Sequence, residues 1–198
     1  MQLPASISLT RNAQYCFSCY HEGIERFLED GKTFYRCLAC GCVNPRSIVI
    51  DEAVNWWVDE NQTYWHESVG VVIKNKEDKI FCILRQIYPF AYALPAGHVD
   101  RGEDPAVGAR REVGEEIGVD LQSLSLIEKL PIHGDECRRG CDDHLWHVYL
   151  STVGDDFSPK LSSDEAASYA WLSKDEILAR NDVVLPLKYI VERLGRSF

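Results

Sequence analysis

Residues 97–119 constrain the fold more than any other stretch of this chain. They read GHVDRGEDPAVGARREVGEEIGV. Apolar residues recur at helical spacing and predict a helix over 104–117 with a buried stripe of Ala106, Ala109, Val113 and Ile117. Asp104 is a suitable N-cap and Pro105 suits the first turn. Glu112, Glu115 and Glu116 then share one face of the helix, since they lie three and four positions apart.

Three carboxylates on one helix face repel one another at neutral pH, which favours a site where a divalent cation neutralises them. Oxygen ligands that leave room for water and phosphate oxygens are typical of Mg²⁺ or Mn²⁺ sites. We expect Arg111 to pair with Glu103 and hold the preceding loop against the helix. Gly97 is expected to let the backbone approach a ligand or metal closely. The alternative is a solvated charged face, which runs of glutamate usually form.

The positions of Gly97, Glu103, Arg111, the three glutamates and the glycine after them resemble the Nudix box, and the resemblance covers about residues 67–198. It implies an α/β/α sandwich with a mixed β-sheet. It also implies a pyrophosphatase that hydrolyses a nucleoside diphosphate linked to another moiety, such as ADP-ribose, a dinucleotide, an NDP-sugar or an NTP. On this resemblance Glu112, Glu115 and Glu116 bind Mg²⁺ or Mn²⁺, and Arg111 and Glu103 complete the catalytic set.

The general base and the substrate contacts remain open. The resemblance allows a glutamate of the box as base, or an acidic residue of a distal loop, where Asp164 and Glu165 precede an expected strand. For each of these two residues the alternative is an exposed loop charge. The candidates for substrate contact are Gly97, His98, Tyr92, His147 and Glu165.

Two cysteine pairs near the N-terminus, Cys16-x2-Cys19 and Cys37-x2-Cys40, predict a second kind of metal site. Four thiolates in two such pairs match tetrahedral zinc. Asp30-Gly31 between the pairs predicts a β-hairpin turn. The unit resembles a zinc ribbon, a small β domain in which structural Zn²⁺ supplies folding energy that so short a chain lacks. Two disulfides or free thiols are the alternative.

A further group of potential ligands lies within fifteen positions: His133, Cys137, Cys141, His144 and His147. A second zinc site and a Cys137–Cys141 link are two interpretations. The third, an insertion between two strands with incidental cysteines, is favoured.

Three segments follow from these patterns: a zinc ribbon at 1–45, an aromatic-rich connection at 46–66 and a hydrolase unit at 67–198. Strands are expected at Val69–Ile73, Ile80–Leu84, Leu124–Leu130, Leu145–Thr152 and Ser168–Leu172. Ser173 and Glu176 form a capping-box pattern that begins a helix, and a last helix is expected from about Pro186 to Leu194. Trp56, Trp57 and Trp65 in the connection suit a domain or dimer interface better than a stacked nucleobase.

The net charge and the absence of recognisable targeting segments limit the expected partners and compartment. The net charge of −10 disfavours nucleic-acid binding through bulk electrostatics but leaves a local basic patch open. No secretory leader or membrane-spanning stretch is recognisable, so a cytoplasmic protein with a small nucleotide-diphosphate substrate is expected. A homodimer is open, because dimers are common in the resembling family.

Two other functions remain as alternatives. One is a non-enzymatic nucleotide sensor that uses the ribbon as a docking module, and the other is an enzyme recruited to RNA by the ribbon. Some Nudix enzymes that hydrolyse NADH also carry a zinc ribbon. Their downstream Ser-Gln-Pro-Trp-Pro-Phe-Pro type element is missing from residues 120–150, which counts against NADH specificity.

Overall fold

The computed structural model describes residues 1–198. Its N-terminal part contains only short strands: β1 (Ala13–Tyr15), β2 (Ile24–Glu29), β3 (Lys32–Cys37), β4 (Val43–Asn44) and β5 (Ile48–Ile50). Strands β2, β3 and β4 form an antiparallel sheet, and β1 pairs with β5. Asp30 and Gly31 join β2 to β3 with φ values of +49° and +72°, the left-handed pair that a tight hairpin turn requires.

The remaining elements build a larger α/β unit. They are β6 (Trp56–Val58), β7 (Tyr64–Lys74), β8 (Ile80–Arg85), β9 (Tyr92–Ala93), β10 (Ala96–His98), α1 (Pro105–Ile117), β11 (Ser125–His133), β12 (Asp143–Thr152), β13 (Ala166–Leu172), α2 (Lys174–Ala179) and α3 (Leu185–Leu194). Eight strands form one sheet around the order β11-β12-β7-β8-β13, with β6 and β10 on β7 and β9 on β8. Only the β12–β7 pair is parallel, so the sheet is mixed, as predicted.

Helices cover both faces of the sheet. On one face α1 packs Ala109, Val113 and Ile117 against side chains of β7 and β8. On the other face α3 packs Leu187 and Ile190 against a second set of sheet residues. Strand β7 is therefore buried on both faces, which explains its continuous apolar run. No helix of the chain is long and apolar enough to span a membrane.

A third apolar cluster joins the N-terminal part to the sheet. It contains Ile48 and Ile50 of β5, Tyr64 at the start of β7 and Cys141 from the loop between β11 and β12. Arg46 fixes the same loop by donating to the backbone carbonyls of Cys137 (2.9 Å) and Cys141 (3.0 Å). The segment 46–66 thus contributes β5 and β6 to packed structure.

Candidate active site and metal centres

Helix α1 carries the glutamates, and its two ends are fixed as the sequence indicates. The Asp104 side chain accepts from Ala106 N at 2.8 Å, and Pro105 begins the helix. Gly118 ends it with φ +64°, a left-handed conformation that glycine adopts without strain. The buried stripe faces the sheet, and Glu112 and Glu116 beside it lie against β10, at Gly97 and Ala96 respectively.

Arg111 connects this loop to the helix. Its guanidinium donates two hydrogen bonds to the Glu103 carboxylate, both 2.9 Å long, and one of 2.7 Å to Glu112. A further hydrogen bond of 3.0 Å reaches the backbone oxygen of His98. The paired hydrogen bonds lower the pKa of Glu103 below its ordinary value. Arg111 thus fixes both the loop and the carboxylate of Glu112.

Glu116 is the buried acid of the helix, and Glu112 beside it is half-buried. Glu116 is 2 % exposed, accepts from Ala96 N at 2.8 Å and makes no ion pair. Burial raises its pKa well above the ordinary value, and burial likewise raises the pKa of Glu112 to about 7. Glu115 differs, because its side chain is 60 % exposed at the rim. Neighbouring acids whose pKa values are raised by burial are typical of functional sites.

A cavity of about 250 Å³ opens beside these glutamates. Three of the five candidates for substrate contact lie in its wall: Gly97, His98 and Glu165. Glu165 is half-buried and raises the pKa values of Glu112 and Glu116 by its charge, whereas Asp164 is exposed and lies outside the wall. The structure therefore separates two neighbouring acids that the sequence left equivalent.

The other two candidates, Tyr92 and His147, lie outside the cavity wall. The guanidinium of Arg180 covers the Tyr92 ring at 4.9 Å, and His147 Nε2 lies 2.6 Å from Glu67 Oε1. The tryptophans of the connection also lie elsewhere, since Trp57 stacks on Trp65 with an interplanar angle of 5°. Sequence reasoning missed three basic residues of the wall, Arg85, Arg138 and Arg139, which no motif marks.

The four N-terminal cysteines Cys16, Cys19, Cys37 and Cys40 come together as one group. Cys16 Sγ lies 3.8 Å from Cys40 Sγ, and Cys19 Sγ lies 3.6 Å from Cys37 Sγ. All eight cysteines are free thiols, so the disulfide alternative is not what the structure contains. In a tetrahedral zinc site with Zn–S bonds of about 2.3 Å, sulfur atoms lie about 3.8 Å apart. The spacing of these thiols is compatible with zinc.

The second group of potential ligands differs in membership from the one that the sequence indicated. Cys137 and His144 come together with His66 and His98. Cys141 instead donates to the backbone oxygens of Tyr64 and Asp143. His133 lies 2.7 Å from Asp143, and His147 is paired with Glu67. Sequence proximity was misleading here, because β7 and β10 bring the two distant histidines to the loop.

Comparison with known proteins gives the family. Residues 64–194, which begin at the first residue of β7, match the model of the NUDIX domain. Nudix hydrolase 26, chloroplastic, of Arabidopsis thaliana is 44% identical over 133 residues, covering 58% of this chain and 61% of that protein. The chain thus spans less than two thirds of that relative. An RNA pyrophosphohydrolase of Cereibacter sphaeroides is 26% identical over 149 residues, covering 68% of this chain and 90% of that protein.

Solved structures agree on the fold. A MutT protein from Methanosarcina mazei has a TM-score of 0.57 at 23% identity, covering 67% of this chain and 94% of that one. A C. elegans Ap4A hydrolase has a TM-score of 0.54 at 20% identity, covering 67% of this chain and 96% of that one. The NUDIX domain of Shewanella oneidensis NrtR, solved with ADP ribose, has a TM-score of 0.55 at 16% identity, covering 72% and 94%. With the glutamate helix, the mixed sheet and the family model in agreement, this chain belongs to the Nudix family.

Proposed function

We propose that this protein is a Mg²⁺-dependent hydrolase that cleaves the phosphoanhydride bond of a nucleoside diphosphate linked to another moiety. One observation carries the proposal: Glu116 is buried in the cavity wall without an ion pair. The neighbouring Glu112, in contrast, is paired with Arg111. A buried carboxylate without a counter-charge is costly. The Arg111 guanidinium pairs with Glu112 and Glu103 but not with Glu116, whose carboxylate is available to a cation.

The donor set fits Mg²⁺ or Mn²⁺. Glu112 and Glu116 offer buried carboxylate oxygens, Glu115 offers a third at the rim, and oxygen ligands are what these ions prefer. When bound, the ion neutralises phosphate oxygens and lowers the pKa of the attacking water. Glu103 acts through Arg111 and does not line the cavity, so its part is positioning.

Protein residues supply the rest of the reaction. We assign Glu165 as the general base, since of the two candidate distal acids it is the one that lines the cavity, and its charge acts on both Glu112 and Glu116. It accepts a proton as the water oxygen attacks one phosphorus, and the bond from that phosphorus to the bridging oxygen breaks. The bridging oxygen leaves with the second phosphate, so a nucleoside monophosphate and another phosphate-bearing product result. Gly97 provides the space that the Glu112 carboxylate occupies.

The substrate class remains broad within this proposal. The names of similar proteins include an RNA pyrophosphohydrolase, an Ap4A hydrolase and a domain bound to ADP ribose. The substrates or ligands in all three names contain a phosphoanhydride, which supports the proposed class of substrate. ADP-ribose, dinucleotides, NDP-sugars, NTPs and triphosphorylated RNA therefore form the test panel.

We propose one structural Zn²⁺ on Cys16, Cys19, Cys37 and Cys40, which gives the 1–45 unit its folding energy. The compartment is proposed to be cytoplasmic, because free thiols in ligand groups suit a reducing environment. The plant relative is named as chloroplastic, and that word describes the relative.

The test is product analysis on this panel with Mg²⁺, using wild type, Glu116→Gln and the matched control Glu192→Gln. Glu192 is an exposed acid of α3. We expect turnover by wild type and by the control, and a loss of about 100-fold or more in Glu116→Gln. Equal turnover by Glu116→Gln would refute the proposal. Tight binding of a nucleotide without any cleavage would favour the sensor alternative.

A further inference from the structure

A second group of metal-binding side chains lies at the edge of the cavity, apart from the glutamates. His66 comes from β7, His98 from β10, His144 from β12 and Cys137 from the loop before β12. One ligand atom from each of the four residues lies within 4.8 Å of all the others. His66 Nδ1 lies 3.0 Å from His98 Nε2 and 3.7 Å from Cys137 Sγ. Three imidazoles and a thiol from four separate segments thus converge on one point.

Hydrogen bonding prepares His66 for a metal. The Tyr64 hydroxyl donates its proton to the backbone oxygen of Val49 at 2.7 Å, so it can only accept from His66 Nε2, 2.7 Å away. His66 Nε2 therefore carries the ring proton, and Nδ1 presents its lone pair to the group. Metal-binding histidines characteristically have their second ring nitrogen fixed in this way.

His144 has a carboxylate beside one of its ring nitrogens. The residue is 2 % exposed, and its Nδ1 lies 3.1 Å from Asp135 Oδ2. Nε2 is then the ring nitrogen available to the group. A carboxylate beside the second ring nitrogen is characteristic of metal-binding histidines, and the negative charge of Asp135 favours a cation at this place.

The distances agree with tetrahedral zinc. With Zn–N bonds of about 2.0–2.1 Å and a Zn–S bond of about 2.3 Å, ligand atoms lie about 3.3–3.8 Å apart. In this group the separation of 3.7 Å between His66 Nδ1 and Cys137 Sγ falls within that range, and the 3.0 Å between His66 Nδ1 and His98 Nε2 lies slightly below it. The four ribbon thiols in the same chain lie 3.6 and 3.8 Å apart in their two close pairs.

We propose that His66, His98, Cys137 and His144 bind a second Zn²⁺, distinct from the ribbon zinc and from the Mg²⁺ of the glutamates. Imidazole and thiolate ligands select zinc over Mg²⁺, which prefers oxygen. Four protein ligands fill the tetrahedron, so this is a closed, structural site. Binding releases the thiol proton of Cys137 to solvent, since the thiolate is the ligand.

The site would fix one wall of the cavity. Its ligands Cys137 and His144 flank the loop that carries Arg138 and Arg139, which line the cavity together with the glutamates. Arg139 is paired with Asp51 at 2.8 Å, whereas the single hydrogen bond of the Arg138 guanidinium, to Tyr35 Oη, is 3.4 Å long. Zinc bound by Cys137 and His144 would therefore hold Arg138, which has only this one weak hydrogen bond, in the cavity wall near the glutamates.

The test uses the full chain and needs no knowledge of the substrate. Zinc is measured by elemental analysis after desalting, and the protein is then exchanged with ¹¹³Cd²⁺ for NMR. We expect two metal ions per chain and two resonances, because shielding of cadmium depends strongly on how many sulfur atoms bind it. The downfield signal belongs to the four-thiolate ribbon and the upfield signal to the three-imidazole, one-thiolate site.

The variant Cys137→Ala assigns the second signal. We expect it to weaken metal binding at this site by about 100-fold or more and to shift or abolish only the upfield resonance. The control is Cys42→Ala, which removes an exposed thiol outside both groups and should leave both signals. One metal per chain with a single four-sulfur resonance would overturn the proposal. An upfield resonance that Cys137→Ala leaves unchanged would overturn it as well. Neither result depends on whether the protein hydrolyses a diphosphate.

Discussion

The carboxyl group of Glu112 fills the space beside Gly97: a Cβ at residue 97 would lie 2.0 Å from Glu112 Cδ and 2.1 Å from its Oε1. Real atoms do not approach so closely, so any side chain at residue 97 would have to displace the Glu112 carboxyl group. The sequence had suggested that Gly97 serves approach to a ligand or metal. In the structure the group that approaches is a carboxylate that we assign to the metal.

Gly97→Ala should therefore displace Glu112 and lower kcat by about 100-fold or more, because a shift of about 1 Å at a reacting site has this effect. The matched control is Gly114→Ala on the same helix, where an added Cβ meets nothing within 4 Å. The control should keep its activity and gain slightly in stability. Steady-state kinetics with Mg²⁺ and thermal unfolding of both variants check this. Full activity of Gly97→Ala would contradict the steric role.

Arg111→Lys should lower activity although it retains the positive charge. The guanidinium reaches Glu103 through two hydrogen bonds and also reaches Glu112 and His98 O, and an ammonium group cannot reproduce that fork. We expect a loss of about 10- to 100-fold, with a higher Mg²⁺ requirement. Arg110→Lys is the neighbouring control, because Arg110 donates to the backbone oxygen of Leu121, away from the cavity. Equal losses in both variants would point to a general effect on the helix.

Glu165→Gln tests the assignment of the base. It should lower kcat by about 100- to 10,000-fold while leaving nucleotide and Mg²⁺ binding nearly unchanged. Asp164→Asn removes the adjacent acid, which is exposed and outside the cavity wall, and should have little effect. Activity is measured across pH, because loss of the base also removes its limb from the profile. If both variants remain active, a glutamate of the box is the better candidate for the base.

The pH dependence of stability tests the burial of Glu112. Its pKa of about 7 lies above the ordinary value of 4.5, so the folded protein keeps a proton that the unfolded chain releases. Without Mg²⁺, stability should consequently fall as pH rises from about 4.5 to about 7. Glu112→Gln does not titrate and should show a flatter curve. The remaining slope comes in part from Glu116, whose pKa is raised in the same direction.

Added Mg²⁺ provides the second arm of this experiment. An ion that binds the carboxylates stabilises their ionised forms, so Mg²⁺ should raise the Tm of wild type more at about pH 8 than at about pH 5. Thermal unfolding of desalted protein, without chelator, keeps zinc in place during the comparison. Superimposable curves for wild type and Glu112→Gln, with or without Mg²⁺, would mean that Glu112 does not titrate in this range.

Local signals in the sequence predicted the elements that depend on near neighbours. The helix expected over 104–117 runs from Pro105 to Ile117, and the Ser173–Glu176 capping box begins α2 as a true reciprocal pair. Turn chemistry at Asp30-Gly31 produced the hairpin. These features succeed because a cap, a turn and an apolar period each involve residues a few positions apart.

Long-range contacts were beyond the same reasoning. His66 and His98 join Cys137 and His144 because β7 pairs in parallel with β12 and antiparallel with β10, and no spacing along the chain encodes that. The same strand pairing takes His147 to Glu67, outside the cavity wall. The adjacent acids Asp164 and Glu165 differ in exposure, and only Glu165 lines the cavity, which depends on how the segment before β13 packs.

The sequence by itself determined that a helix would present Glu112, Glu115 and Glu116 on one face, with Arg111 and Glu103 in reach, because helical periodicity is a local property. The tertiary structure alone decided which of those glutamates are buried and which distal acid lines the same cavity. It also decided which histidines meet Cys137. Burial and convergence depend on the packing of strands far apart in sequence, and the free energy that drives this packing is spread over the whole core.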